Sequence, residues 1–185
     1  MVKFEGEVVR LFPTILYDLD CSELIDETLE VLDKVEWSGD ISKSIFILEE
    51  YEDLTKKFEY VLNKSVEVME YILPFKMSTS WFTKSFIRSG IRDHHHSNSF
   101  LSSCFYMHDN CGFIDLYKDE FGITVPNKFP DSIKYPCKKG HMIIFPSSLK
   151  HCVESKDEDG IRYSLAMNYM PKGLCLDADS TYNYK

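Results

Sequence analysis

The period of apolar positions along this chain changes once, near Pro74. From Ser22 to Trp37, "SELIDETLEVLDKVEW" sets Ile25, Leu29 and Leu32 on one face at helical spacing, with Leu24, Thr28, Val31 and Val35 beside them. The pattern predicts an amphipathic helix with Ser22 as its cap. A longer helix is predicted through "DLTKKFEYVLNKSVEVMEYIL", where Leu54, Phe58, Val61, Leu62, Val68, Met69 and Ile72 recur until Pro74 stops it. Each has a charged face for solvent and an apolar one for packing on a sheet.

Beyond Pro74 the texture is short apolar or alternating runs broken by Gly, Pro, Asn and Asp. Strands are expected in "STSWFTKSF", "FLSSCFYMH", "FIDLY", "HMIIFP" and "IRYSLAMNYM", with turns near "SG", "DNCG", "KKG" and "DEDG". The fold class is mainly β with flanking helices, an antiparallel region of double-sheet or barrel type. Residues 1–75, the helical part, are too few to hold a good core of their own. Together with a β core at about 77–172 they read as one domain, 1–185.

Composition narrows the function classes. At 185 residues and 44% hydrophobic the chain can bury a substantial core without staples. A net charge of −9, from 30 acidic and 21 basic residues, argues against broad nucleic-acid binding or docking on anionic membranes. No run approaches the ~20 apolar residues of a membrane span, and the start lacks a signal-peptide core, so a cytoplasmic protein is expected, in the host cytoplasm if viral. Cys21, Cys104, Cys111, Cys137, Cys152 and Cys175 contain no C-x-x-C pair and are expected as thiols.

Candidate chemistry begins at "GIRDHHHSNSFLSSCFYMH". In an extended segment His94 and His96 share one face, while Asp93 and His95 share the other. Two imidazoles make a weak, unspecific metal site, and a third ligand is needed. His151 lies 55 residues beyond His96, a gap that only tertiary structure can close. His141 suits a strand edge and His108 a structural role. The bland alternative is an exposed polar loop.

The segment "IRYSLAMNYM" alternates strictly, with Arg162, Ser164, Ala166 and Asn168 on one face and Ile161, Tyr163, Leu165, Met167 and Tyr169 on the other. If the first face looks into a barrel, Arg162 is a buried guanidinium that wants an anion. A ligand carboxylate fits its fork, with Ser164 adding a hydroxyl. An edge-strand surface Arg is the alternative.

With these blocks in order (His-x-His before "SNSFLSSCFY", then "KKGHMIIFPSSLKH", then Arg-x-Ser eleven residues after His151), the chain resembles the non-haem iron(II), 2-oxoglutarate-dependent oxygenases. It is most similar to small members from phages and bacteria, over about residues 80–170, and the opening "VVRLFPTILY" also looks like that group's start. The resemblance implies a double-stranded β-helix, a jelly roll, with the two N-terminal helices packed on one sheet. It implies His94, His96 and His151 as ligands of Fe(II), and Arg162 with Ser164 on the distal carboxylate of 2-oxoglutarate, with Tyr106 as a further contact. Asn98, Ser102, Asn168 and Trp81 match the pattern as site-lining positions. The reaction implied is decarboxylation of 2-oxoglutarate to succinate, with O2 oxidising an unidentified substrate.

Two departures stand out. The wider superfamily often has His-x-Asp/Glu, whereas His96 keeps the second position an imidazole; a register using Asp93 and His95 would restore a carboxylate but breaks the alignment of "NS". Ser103 replaces a common Gly, which reshapes a wall. Two other classes remain: a three-histidine enzyme without 2-oxoglutarate, such as a cupin-like dioxygenase or zinc hydrolase, and a non-catalytic jelly-roll module. The substrate, a protein side chain or a small molecule, and the oligomeric state are not written in the sequence. Residues 117–136 are long enough for a lid or rim, Cys104 and Cys152 are candidates for self-oxidation, and "LCLDADSTYNYK" reads as a loose polar tail.

Overall fold

The computed structural model describes residues 14–86, 90–109, 111–118, 131–153, 161–175 and 182–184. Most of "VVRLFPTILY", the "DEDG" turn and residues 119–130 of the expected lid lie outside that set. Strand β1, Tyr17–Asp20, leads into a 3-10 turn at Ser22–Leu24 and then helix α1, Ile25–Leu32. Ser22 does not cap it, because Ser22 donates both its N–H and its hydroxyl to Asp20 Oδ1. Leu24, Thr28 and Val31 form the most buried stripe, rather than Ile25, Leu29 and Leu32.

The helix expected to reach Trp37 stops at Leu32. Trp37–Ser38 (β2) and Ile41–Ser42 (β3) instead form a hairpin turning at Gly39, whose φ is +64. Tertiary contacts claim the indole. The Lys84 ammonium lies 4.4 Å from its ring centre, and the Tyr163 ring is 5.7 Å away.

The long helix α2, Glu52–Val68, buries Leu54, Phe58, Leu62, Ser65 and Val66. It ends six residues before Pro74. Glu70 turns left-handed at φ +64, its N–H bonds to the Glu67 carbonyl, and that of Tyr71 bonds to the Val66 carbonyl, closing the end. Val68 and Ile72, expected on the apolar face, are therefore 63% and 97% exposed.

Eight strands follow: β4 (Phe75–Ser85), β5 (Ile91–His94), β6 (Leu101–Tyr106), β7 (Phe113–Tyr117), β8 (Ser132–Pro136), β9 (His141–Pro146), β10 (His151–Val153) and β11 (Arg162–Pro171). They divide into two antiparallel sheets. The larger runs β1-β9-β6-β11-β4-β3-β2 and the smaller β5-β10-β7-β8. Four of the eight fall in each sheet, which is the double-stranded β-helix expected. The expected lid does not survive at its end, because Ser132–Pro136 pairs with β7 as an edge strand. Nor is the tail wholly loose: Gly173–Cys175 (β12) pairs with Tyr182–Tyr184 (β13).

Strict alternation in β11 divides the interior. Leu165, Met167 and Tyr169 join Phe82, Phe105 and Met142 in a layer against Phe58 and Leu62 of α2, and the Phe58 and Phe105 ring centres are 5.5 Å apart. Each of these fully buried side chains contributes about 1.5–3 kcal/mol. On the opposite face, between the sheets, lies a second cluster that includes Tyr106, Ile114, Ile143 and Phe145. Asp18 of β1 ties the sheets together by accepting from Tyr135 of β8 and from His141 Nδ1 of β9, both at 2.7 Å. His141, expected at the surface or a strand edge, instead begins an inner strand, β9, between β1 and β6, and is half-buried on Asp18. Cys21, Cys104, Cys137 and Cys152 are thiols. No helix among the described residues is long and apolar enough to cross a membrane.

Candidate metal centre

Strand pairing closes the 55-residue gap in the sequence. In the β5–β10 ladder His151 stands opposite His94. His96 lies two residues past the end of β5, where its backbone N–H donates to the Ser147 carbonyl at 2.9 Å. The three imidazoles converge, with their candidate ligand atoms all within 4.8 Å of one another. Ring centres are 4.3 Å apart for His94 and His151, 5.0 Å for His94 and His96, and 5.2 Å for His96 and His151.

Two of the rings are oriented by backbone. His94 Nδ1 meets the Arg92 carbonyl and His151 Nδ1 the Leu149 carbonyl, each at 2.8 Å. A carbonyl only accepts, so both Nδ1 atoms carry the proton and each Nε2 keeps a lone pair for a metal. His96 is held by packing, its ring edge-on to Trp81 at 5.5 Å. Burial, reinforced by the neighbouring imidazoles, pushes His96 down to about 4. Burial likewise pushes His151 down to about 4, against the opposing effect of its Leu149 hydrogen bond. At neutral pH both rings are uncharged, the form that binds metal.

The alternative register does not assemble. The Asp93 carboxylate is 2.5 Å from Lys150 Nζ, an ion pair that holds it below the usual carboxylate range, and His95 is exposed.

The three histidines line a cavity of about 450 Å³ whose other walls are mainly apolar, with Trp81, Ile91, Ile114, Phe145, Val153 and Ala166. Among the sequence candidates, Trp81, Ser102, Ser164 and Asn168 line it. Asn98 does not: it is exposed in the turn after His96. Ser103 turns its hydroxyl away from this cavity onto Tyr169, 2.7 Å distant, so the extra atoms relative to Gly are used on the helix side.

Arg162 and Tyr106 continue the same barrel face beyond Ser164. Ser164 pairs with Tyr106 across the β11–β6 ladder and shares a 2.7 Å hydroxyl contact with Thr83. Arg162 is 4% exposed; Nη1 donates to the Cys111 carbonyl at 2.8 Å and Nη2 to Ser85 Oγ at 3.2 Å. Both partners are neutral, and among the described residues no carboxylate pairs with it. Gly112, at φ +72, makes room for the guanidinium, since a Cβ there would stand 3.3 Å from Nη1. Among the described residues the buried Tyr106 hydroxyl has no oxygen or nitrogen hydrogen-bond partner, only the thiols of Cys104 and Cys137 nearby, and burial, then those two thiols, raises its pKa well above the ordinary value. Thr83, Ser85 and Gly112 were not legible as site residues, because cross-strand register places them here. Ser147 stood within the quoted "FPSSLKH" block, but nothing in its spacing reveals its carbonyl under His96.

A cationic fork and a hydroxyl, neither with a charged partner among the described residues, lie on the inner face of the larger sheet, and three imidazoles converge from the smaller one. That donor set fits a divalent metal and a dicarboxylate. Residues 79–168 match the model of the family described as "Putative 2OG-Fe(II) oxygenase". No curated protein matches the chain. Among solved structures, the chain is similar to HygX from Streptomyces hygroscopicus with nickel and 2-oxoglutarate bound (11% identity, TM-score 0.61, covering 85% of this chain and 82% of that one). It is also similar to a Pseudomonas putida prolyl-4-hydroxylase (13%, 0.55, 86% and 94%) and to the non-haem α-ketoglutarate-dependent epimerase SnoN from nogalamycin biosynthesis (13%, 0.59, 85% and 78%). At such identities the structures speak to the fold alone. Residues 79–168, the segment with all three histidines, Arg162 and Ser164, are thus the part of this chain that matches the 2OG-Fe(II) oxygenase family model.

Proposed function

We propose that the protein is an Fe(II)- and 2-oxoglutarate-dependent oxygenase that hydroxylates its substrate. His94, His96 and His151 hold the metal, and Arg162, with Ser164 and Tyr106, holds the distal carboxylate of the co-substrate. The observation that carries this reading is Arg162: a buried cation whose partners are a carbonyl and a hydroxyl is costly until a carboxylate arrives. When bound, iron and 2-oxoglutarate supply oxidative decarboxylation by O2, giving succinate, carbon dioxide and one oxygen atom for a substrate C–H bond.

The chain's own residues bind and orient. Nδ1 protons on the Arg92 and Leu149 carbonyls fix the rings of His94 and His151. Gly112 keeps space beside the guanidinium. The apolar walls exclude water from the reacting end. Three neutral imidazoles leave the site more positive than two and a carboxylate, which favours a doubly charged keto acid. A zinc hydrolase would use the same three imidazoles but gives Arg162 no task. The thiols of Cys21, Cys104 and Cys137 suit a reducing cytoplasm.

The test is release of succinate from 2-oxoglutarate, followed by mass spectrometry without added substrate. Iron-dependent succinate in the native protein, absent in His151→Ala and Arg162→Met, supports the reading. Activity of any kind that is indifferent to 2-oxoglutarate and to Arg162→Met defeats it.

A further inference from the structure

The end of the cavity opposite Arg162 is built around Asn168. Ser102 Oγ donates to Asn168 Oδ1 at 2.7 Å. A hydroxyl has one proton, so in the 2.8 Å contact between Ser102 and Ser147 it is Ser147 that donates. Ser147 accepts in turn from Ser99 at 2.8 Å. Three hydroxyls therefore run head to tail and end on the amide oxygen. This turns the two Nδ2 hydrogens of Asn168 away from Ser102, on a side chain that lines the cavity, and among the described residues they meet no acceptor.

The backbone supports the same placement. The β4–β11 register shifts between Asn168 and Tyr169, leaving Ser78 as the extra residue, and its hydroxyl donates to the Asn168 carbonyl at 3.1 Å. Such bulges re-aim a side chain beside a site. Thr79, opposite Asn168 in this ladder, has a buried Oγ1 without a hydrogen-bond partner among the described residues. The Ser147 carbonyl also holds the backbone of His96, so the serine chain is joined to the metal side.

Arg162 and Asn168 stand six residues apart on one strand face, about 20 Å at ~3.3 Å per residue. Arg162 stays at its own end, bonded to Ser85, its partner in register. A five-carbon diacid anchored there does not reach Asn168. The residues in register with Asn168, Thr79 and Ser102, and the next pair on that face, Trp81 and Ala166, are uncharged, while the charged residues of the cavity rim, Asp40, Arg92 and Asp93, belong to the β2–β3 hairpin and to β5; a charged group would lose hydration beside Asn168 with little compensation.

We propose that Asn168 is the substrate-side anchor. Its Nδ2 donates to a carbonyl oxygen, and the substrate it selects is an uncharged apolar group carrying a ketone, ester or amide. Ser102 and Ser147 are positioning residues that fix the amide. The proposal rests on the metal reading for which end of the cavity is reactive.

The probes are acetophenone, ethylbenzene, which lacks only the carbonyl, and benzylamine, which offers a donor. Binding is measured by ligand-observed NMR to the metal-free protein and to its zinc·2-oxoglutarate complex. Acetophenone should bind about tenfold more tightly than ethylbenzene. Asn168→Leu should abolish that difference and leave 2-oxoglutarate affinity unchanged. Asn168→Asp keeps the acceptor for Ser102, and so the local fold, yet should also lose the preference. Ser102→Ala should reduce it. Equal binding of acetophenone and ethylbenzene, a preference for benzylamine, or an equal loss of 2-oxoglutarate in Asn168→Leu would each overturn the proposal. Failure to take up metal or 2-oxoglutarate would instead sink the metal reading, and the carbonyl preference of the metal-free protein would stand apart from it.

Discussion

Arg162→Met separates a structural arginine from one that awaits a ligand. In the ligand-free protein the change removes two charge-assisted hydrogen bonds, each worth about 1.5–3 kcal/mol. It also removes a buried cation whose desolvation costs several kcal/mol, and Met fills much of the vacated volume. The opposing effects leave about 1 kcal/mol or less, a melting shift of about 2–4 °C at this chain length. The bound state differs sharply. Losing one partner of a buried charge pair costs about 2–5 kcal/mol, and 2.7 kcal/mol, roughly the lower end of that range, is about a hundredfold in 2-oxoglutarate affinity. Scanning calorimetry of the zinc-loaded protein, with 2-oxoglutarate at a hundred times its native dissociation constant, reads both effects. The native protein should gain about 2.7 kcal/mol, or roughly 5–10 °C. The variant, now near half-saturation, should gain about 0.4 kcal/mol, close to 1 °C. An undiminished ligand shift in the variant, or a ligand-free loss above about 4 kcal/mol, would refute the reasoning.

Three further outcomes are expected. In the metal-free protein His96 and His151 titrate at about 4 when folded and near 6.5 when unfolded, so the unfolded chain takes up protons first on acidification. Stability to urea should therefore fall from pH 6.5 to 4, by at most about 2.7 kcal/mol per pH unit, with a shallower slope in His151→Ala; a rise would contradict the assignment. Gly112→Ala adds a Cβ 3.3 Å from Arg162 Nη1 on a left-handed backbone, and should weaken 2-oxoglutarate binding about tenfold by calorimetry while metal affinity holds. At Asp18, burial raises the pKa, but hydrogen bonds from Tyr135 and His141, with Lys138 nearby, bring it below the ordinary value. Its contribution is present above about pH 4 and lost as pH falls through the lowered pKa. Asp18→Ala should cost about 2–3 kcal/mol at pH 7 and spare the 2-oxoglutarate response.

What the sequence made legible follows from how local each signal is. In β11 the alternation is self-contained, and the structure sends Arg162, Ser164, Ala166 and Asn168 between the sheets and Leu165, Met167 and Tyr169 to the helix. Helix ends were read less well. The periodicity through Trp37 is real, but contacts with Lys84 and Tyr163 override it, and α2 ends on a left-handed glutamate that no Gly announces. Strand β8 was missed because "SIKYP" is an edge strand with Ile133 62% exposed, and so lacks an apolar rhythm. The histidine pattern named its members, yet their meeting depends on the β5–β10 register. The room for Arg162 depends likewise on one glycine 50 residues upstream.

The central claim is that one metal sits among His94, His96 and His151 with 2-oxoglutarate chelated to it and anchored on Arg162. The direct measurement is an anaerobic titration of the metal-free protein with Fe(II) and then 2-oxoglutarate, following the weak visible charge-transfer band of a chelated keto acid. The band should grow to one equivalent of each in the native protein, vanish in His151→Ala, and need about a hundredfold more 2-oxoglutarate in Arg162→Met. Iron binding with no band, or a band indifferent to both substitutions, would contradict it.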